Sequence, residues 1–256
     1  MVVIDIDTDT IALFLSVVLR FSIPLFLLPF LDGKFIPARV KAGLALSLSV
    51  ALFPMVSGSV KPLDFHPASL AMVVVGEIFF GVIMGLLIKI VMEAFQLGAH
   101  ALEFQMGFGF ARVADPMTGV QLGVTGQLMN MIAMLLLFAI NGHLLMLNAI
   151  IDSFHAVPLG GFVPTKQMID STIVLTSRMF VIAIRLVAPI MFTLLLVKVG
   201  VGIISKFSPQ LNVLMVSFPV TILVGVAFLS LFAPTWGYLM EKLFREVLEY
   251  LHAMGV

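Results

Sequence analysis

Cysteine is absent from the 256 residues of this chain, and charged side chains are scarce. Without cysteine the chain has no disulfide bond, no thiol nucleophile and no cysteine metal ligand. Charged residues make up only 11% of the sequence and hydrophobic residues 61%, and the mean hydropathy is +1.18. A soluble domain of this length needs more polar side chains to cover its surface. The composition therefore predicts an integral membrane protein.

A net charge of either sign is also missing, since fourteen basic residues balance fourteen acidic residues. The chain thus lacks the basic signature of nucleic-acid binding. It also lacks a zinc-binding HExxH helix, a GxSxG nucleophile turn and a Walker phosphate loop. His143 has no second histidine at a metal-binding spacing, which favours a buried or helix-end histidine over a ligand. We therefore expect no enzyme, no metal and no cofactor.

The first ten residues, MVVIDIDTDT, contain three acids and no base. A cleavable signal peptide begins with a basic region. We therefore expect the first hydrophobic segment to be retained.

Long apolar blocks follow one another along the chain, at residues 11–31, 40–55, 70–91, 128–151, 173–196 and 211–231. About 20 apolar residues in a helix cross the hydrocarbon core, and uninterrupted apolar runs exclude the alternating pattern of a barrel. The sequence predicts an all-α membrane protein. Proline, glycine and charge inside several blocks favour kinked or broken helices packed against protein. Since we find no repeat, low-complexity tract or soluble segment, we expect a single domain over residues 1–256.

Two segments are amphipathic instead of uniformly apolar. Residues 92–127 begin with Glu93, Gln96, His100 and Glu103 at helical spacings of three and four. This pattern fits a helix at the membrane interface and equally a helix that lines a wet interior. Residues 236–254 alternate charged side chains with Leu, Phe and Tyr. This pattern predicts a C-terminal amphipathic helix that lies at a surface or docks on a partner.

Four charged residues lie inside apolar blocks: Arg20, Glu77, Arg178 and Arg185. Such charges cost a few kcal/mol each in a membrane and normally face a bundle interior, a cavity or each other. They could form an ion or proton path, or a structural salt bridge between helices or subunits. The salt bridge is favoured, because a proton path would contain more carboxylates near the middle of the membrane than Glu77.

The stretch QMGFGFARVADP, residues 105–116, lies between two apolar blocks. Gly107 and Gly109 allow the backbone to move, while Met106, Phe108 and Phe110 supply bulk that could block a pore. The GxG spacing does not follow a strand, so a phosphate-binding loop is only weakly indicated. Most of the seventeen methionines fit a packing role, whereas Met106 is favoured as a sealing residue.

Several segments in the same order resemble one protein family, at residues 20–54, 76–85, 105–116, 141–160, 186–196 and 208–226. The most specific elements are QMG...DP at residues 105–116, NGH with Gly142 and His143, and PQLN with Pro209 and Gln210. They are similar to the FliR family of type III secretion export-gate proteins. The resemblance covers residues 19–232.

This resemblance implies a multi-pass protein of the bacterial inner membrane, located in the flagellar basal body. FliR-like chains assemble with FliP and FliQ into a helical complex around an export channel for unfolded proteins, and FlhA and FlhB are further expected partners. The implied fold resembles a fusion of the FliP and FliQ folds, built from kinked helical hairpins. Members of the family are not enzymes.

The resemblance also implies a channel plug on a loop near residues 105–122. The positions that match it here are Gln105, Met106, Gly107, Phe108, Gly109, Phe110, Arg112, Asp115 and Pro116. Arg112 could face the channel lumen or reach back to a carboxylate such as Asp115 or Glu103.

A small secondary transporter is the alternative function. It would bind a solute in the middle of the membrane, at a polar site around Glu77 and Arg185. Such a carrier predicts two related halves, and no repeat is found in the sequence.

Overall fold

The computed structural model of the chain describes residues 8–29, 31, 36–57, 67–108, 123–159, 162, 165–208, 210 and 213–253. Within these ranges the chain forms helices and no strand. The helices are α1 (Thr8–Leu27), α2 (Ala38–Ser57), α3 (Pro67–Met106), α4 (Val124–Ala139), α5 (Gly142–Ala156), α6 (Lys166–Phe207) and α7 (Val213–Ala253).

Five of these helices, α1, α2, α3, α6 and α7, are long and apolar enough to cross a membrane. The pair α4 and α5 passes the same test when the two are taken together, although they are bent by 62° at their junction. The described residues thus contain five candidate spans, or six if the bent pair counts as one. The prediction of an all-α membrane protein is confirmed.

Two helices combine segments that the sequence analysis separated. The apolar block at residues 70–91 and the first part of the amphipathic segment, up to Met106, form one helix, α3, of 40 residues. The last apolar block likewise continues without a break into the C-terminal amphipathic segment, so that α7 has 41 residues. Residues 92–106 and 236–253 thus continue apolar helices instead of forming separate ones, because a polar stripe leaves the backbone helical.

Proline does not end the helices in which it occurs. Pro24, Pro54 and Pro189 lie inside α1, α2 and α6, and α7 contains both Pro219 and Pro234. Membrane helices tolerate proline, because neighbouring helices and hydroxyl side chains satisfy the backbone groups that it frees. Of the two outcomes expected for proline, a kinked or a broken helix, the broken helix does not occur at these positions, and a kink there stays a prediction.

The break that the structure does contain is at Asn141, inside the apolar block predicted at residues 128–151. Asn141 has a φ of 55°, and it separates α4 from α5. Asparagine enters this left-handed region more readily than most residues, and the next residue, Gly142, opens α5. The Asn-Gly pair is thus the turn signal in this block.

The helices form two compact units, both discontinuous in sequence. Unit 1 comprises Met1–Ile90, Asn141–Leu175 and Phe244–Val256, and unit 2 comprises Val91–Ile140 and Thr176–Leu243. In unit 1, Phe21 stacks on Phe154 with ring centroids 5.4 Å apart. A single domain over residues 1–256, with the FliP and FliQ likeness expected for it, stays a prediction.

Unit 2 has its own aromatic centre around Trp236. The indole N–H of Trp236 donates to the backbone carbonyl of Leu186 at 3.2 Å, and the ring meets Phe95 edge to face. Trp236 is 1% exposed, and its hydrogen bond to Leu186 satisfies the indole N–H, which is the only polar group of the side chain.

Candidate functional site

Arg20 and Glu77 form a buried ion pair in unit 1. Both side chains are 0% exposed, and the arginine Nε and Nη2 donate to the two carboxylate oxygens at 2.5 and 2.6 Å. Two parallel bonds of this kind match the planar guanidinium to the planar carboxylate. The pair joins α1 to α3.

The same guanidinium also binds the end of α5. Its Nη1 donates to the backbone carbonyls of Ser153 and Val157, at 3.2 and 2.7 Å. Ser153 lies in the last turn of α5 and Val157 directly follows the helix, where the helix dipole favours a positive charge. The rings of Phe80 and Phe154 lie 4.9 and 4.8 Å from the guanidinium carbon. Arg20 therefore connects α1, α3 and α5, and aromatic rings shield it from solvent.

Arg178 and Arg185 lie on α6, and both are exposed on the isolated chain. The prediction that both arginines are buried does not hold within the chain, because no other described helix of the chain covers the face of α6 on which they lie. Their predicted role between subunits stays a prediction. The carboxylate of Glu77 is enclosed by Arg20, so it does not offer the open polar site that a carrier would need.

The start of the predicted plug is the end of α3. Gly107 has a φ of 93°, and its N–H donates to the carbonyl of Phe104 at 3.2 Å. A left-handed glycine directly after the last helical residue is a common way to end a helix. A Cβ at this position would lie 3.0 Å from the ring of Phe218. Gly107 therefore has a defined structural role as the helix stop, in addition to any freedom of movement.

Met106, the favoured sealing residue, is 0% exposed. Its carbonyl accepts a hydrogen bond from the hydroxyl of Thr221 at 3.1 Å, and its thioether fills the space over Gly225. A Cβ at residue 225 would lie 2.6 Å from the terminal methyl of Met106. In this structure Met106 anchors α3 on α7, and its sealing role in an assembled channel stays a prediction.

Gln105 and Phe108 flank this anchor. The side-chain oxygen of Gln105 accepts a hydrogen bond from Lys198 on α6 at 3.3 Å. The ring of Phe108 meets Phe218 on α7 edge to face, with centroids 6.0 Å apart. Four of the predicted plug residues, from Gln105 to Phe108, are thus held at the end of α3 by α6 and α7.

The remaining predicted residues are only partly described. Gly109, Phe110, Arg112, Asp115, Pro116 and Pro209 lie outside the described residues. Gly142 is buried and His143 is half-buried in the first turn of α5, which makes His143 a helix-end residue. Gln210 is exposed after the end of α6. No group of three or more histidine or acidic side chains among the described residues could hold a metal ion.

The sequence analysis missed the position of Glu103. Its side chain is buried, and its Oε1 accepts a hydrogen bond from the backbone N–H of Gly126 at 2.6 Å. Gly126 lies in the first turn of α4. The sequence placed Glu103 on a polar stripe with Glu93, Gln96 and His100. Only its buried contact with the start of α4, more than twenty residues later in the chain, distinguishes it from those three residues.

These features define a polytopic helical membrane protein with a buried charged cluster in one unit and an anchored helix end in the other. Comparison with known sequences gives its family. The chain belongs to the family described as bacterial export proteins, family 1, whose model matches residues 11–247. The resemblance to the FliR family is thereby confirmed.

Individual relatives agree with this family. The chain is 29% identical over 224 residues to the flagellar biosynthetic protein FliR of Escherichia coli K12, covering 87% of this chain and 85% of that protein. It is 31% identical to FliR of Bacillus subtilis 168, covering 85% and 84%. It is also 26% identical to the Yop proteins translocation protein T of Yersinia pestis, with 78% of each chain covered. The chain is thus a flagellar or type III export component and a multi-pass inner-membrane protein.

Proposed function

We propose that this chain is a core structural and gating subunit of a flagellar type III export channel, assembled with FliP-like and FliQ-like chains. Unfolded flagellar proteins would pass through the channel, and FlhA-like and FlhB-like proteins would act beside it. The flagellar assignment follows the flagellar relatives, at 29% and 31% identity, over the Yersinia protein at 26%.

The length of the apolar helices is the observation that carries this proposal. The candidate spans in α3, α6 and α7 contain 38, 40 and 37 residues, and those in α3 and α7 end in amphipathic segments. At about 1.5 Å per residue each runs for roughly 55 to 60 Å, about twice the thickness of the hydrocarbon core. Even a helix tilted by about 40° needs only about 40 Å to cross that core. A large part of each helix must therefore lie outside the lipid.

These helices also keep most of their surface uncovered. In the most apolar 18 residues of each helix, only 28% of the residues of α6 and 17% of those of α7 are buried within the chain. The exposed large hydrophobic side chains of α6 run from Ile169 to Phe207, so those outside the lipid would face water unless other protein chains covered them. Arg185, exposed among apolar side chains of α6, fits the same environment if a neighbouring subunit supplies a carboxylate. An assembly of several chains satisfies all these requirements.

Purification from native membranes tests the assembly. In a mild detergent, a tagged form of the chain should elute with FliP-like and FliQ-like proteins as one large complex. An unrelated tagged membrane protein from the same cells should not retain them. A monomer or dimer free of both partners would contradict the proposal.

Ion leakage tests the gating part. Deleting residues 107–114 should raise the ion permeability of cells that contain the assembled complex, because the bulk that closes the channel is removed. An equally long deletion of residues 58–65, between α2 and α3, is the control and should leave permeability unchanged. If the first deletion assembles normally and leaks no more than the wild type, the segment is not a plug.

A further inference from the structure

A buried carboxylate replaces the missing cap at the start of α4. The residue before α4 is Gly123, which has no side chain to cap the helix. Glu103, in the last turn of α3, is 3% exposed and accepts the N–H of Gly126 at 2.6 Å. The first N–H groups of a helix have no partner within the helix, and a negative charge is favourable there. Glu103 therefore caps α4 from a different helix.

The backbone of α4 fits this carboxylate closely. A Cβ at residue 123 would lie 2.7 Å from the Glu103 Oε1 and 3.0 Å from its Cδ. Real Cβ atoms do not approach a neighbour so closely, so the absence of a side chain at Gly123 lets the carboxylate reach the helix start. The Nδ1 of His100, one turn earlier on α3, lies 3.7 Å from the other carboxylate oxygen.

The end of α3 is fixed on a second side. Met106 accepts the hydroxyl of Thr221 from α7 at 3.1 Å, and the hydroxyl of Thr125 lies 3.8 Å from its sulfur. The last turn of α3 thus holds both α7 and the first turn of α4. All these residues belong to unit 2. The two helix ends that precede and follow residues 109–122 are consequently attached to each other.

We propose that Glu103 is the positioning residue of this junction: its carboxylate fixes the start of α4 beside the end of α3. The inference concerns described side chains, and its consequence for ion sealing rests on the proposed function. If residues 109–122 carry the plug, Glu103 sets where the plug begins and ends. Loss of the carboxylate then loosens the junction and makes the closed channel leak.

A thiol reporter measures the junction directly, because the chain has no cysteine of its own. Thr125→Cys places a thiol at a residue that is 4% exposed, and its maleimide labelling in the assembled complex follows local opening. Adding Glu103→Ala should raise the labelling rate roughly tenfold, since a buried N–H loses its charged acceptor. Glu103→Gln keeps an acceptor oxygen and should stay within about twofold of the parent. Ser49→Cys, at a site that is 0% exposed in unit 1, should not respond to either change.

A second pair of variants tests the contact between Glu103 and Gly123. Gly123→Ala should raise the labelling rate in the parent, because the added methyl group collides with the carboxylate. In the Glu103→Ala background the same change should have little further effect, since the colliding group is absent. Equal effects in both backgrounds, or unchanged labelling in Glu103→Ala, would overturn the inference.

Ion leakage separates this inference from the proposed function. If Glu103→Ala raises labelling and leakage together, both ideas are supported. If labelling rises and leakage does not, Glu103 positions the junction as proposed, and its expected consequence for ion sealing fails. If deletion of residues 107–114 causes a leak while Glu103→Ala alters neither labelling nor leakage, the plug stands and the inference fails.

Discussion

At the scale of single residues, Arg20 has a complete set of partners inside an apolar unit. Its guanidinium makes two bonds to Glu77 and two to backbone carbonyls at the end of α5. Buried charges are tolerated when partners of this kind replace water. The stability of the protein should therefore fall strongly when one member of the pair is replaced by an apolar residue, and much less when both are replaced.

Changing Glu77 alone should destabilise the protein. Glu77→Leu leaves the Arg20 cation buried without its carboxylate, and we expect a loss of about 3–5 kcal/mol in the free energy of unfolding. The double variant Arg20→Met with Glu77→Leu should lose much less, because no buried charge remains unpaired. Thermal unfolding of the purified complex in detergent measures both.

Arg39→Met is the control for this prediction, since Arg39 on α2 is exposed. It should leave the midpoint of unfolding of the complex nearly unchanged. A double variant that is less stable than Glu77→Leu would show that the cation has other roles than pairing with Glu77.

At the scale of helices, close approach between α1 and α3 depends on glycine. A Cβ at Gly81 would lie 2.8 Å from the Cβ of Ile23, and a Cβ at Gly85 would lie 2.7 Å from that of Leu27. These contacts involve the first side-chain carbon, which cannot rotate away. Small residues at such contacts let membrane helices pack backbone against backbone. The glycines of α3 thus set the distance between the helices that carry Arg20 and Glu77.

Gly85→Ala should weaken this packing. The extra methyl group must push α1 away from α3, and overpacking of this kind costs about 1–3 kcal/mol. Gly43→Ala is the matched control, because no atom lies within 4 Å of a Cβ there. Thermal unfolding should show a lower midpoint for Gly85→Ala and an equal or higher one for Gly43→Ala. Equal midpoints for both variants would contradict the packing argument.

At the scale of the whole molecule, the exposed apolar side chains of α6 extend further than one bilayer is thick. They run from Ile169 to Phe207, and the part of α6 outside the lipid is left for other subunits to contact. In the assembled channel, the exposed side chains of α6 should therefore fall into a lipid-facing set and a protein-facing set.

Photo-crosslinking along α6 tests this division. Probes placed one at a time at the exposed residues Ile173, Ile184, Leu195 and Ile204 should give protein adducts at some positions and lipid adducts at others. A probe at Leu194, which is 0% exposed, should react only within the chain. Lipid adducts at all four exposed positions would contradict an assembly around α6.

The sequence predicted the class well because hydrophobicity is a local property. Six apolar blocks correspond to five long helices and one bent pair among the described residues. The helix ends were predicted less well. Proline suggested kinks or breaks, and the helices continue through it, while Asn141, in the middle of an apolar block, separates two helices. Whether a proline ends a helix depends on the neighbours that satisfy the freed carbonyl, and these neighbours are not visible in the local sequence.

Some residues of the candidate site were also predicted from the sequence, and others were not. Charges in apolar blocks identified Arg20 and Glu77 as residues that need partners, but also Arg178 and Arg185, which are exposed in the chain. Residues 105–108 contact α6 and α7 at the end of α3, with Met106 as a buried anchor, and their part in a channel plug stays a prediction. Glu103 was not distinguished from its polar neighbours, since the capping of α4 is a contact between different helices.

The sequence by itself determined that this protein is a helical membrane protein, that it belongs to an export family, and that its few charges are exceptional. These properties follow from composition, from residue order and from the energetic cost of charge in lipid. Only the tertiary structure decided that Arg20 pairs with Glu77, 57 positions away, and that Glu103 caps α4. The reason is physical: a buried charge must find a partner in space, and packing selects that partner from residues far apart in the chain.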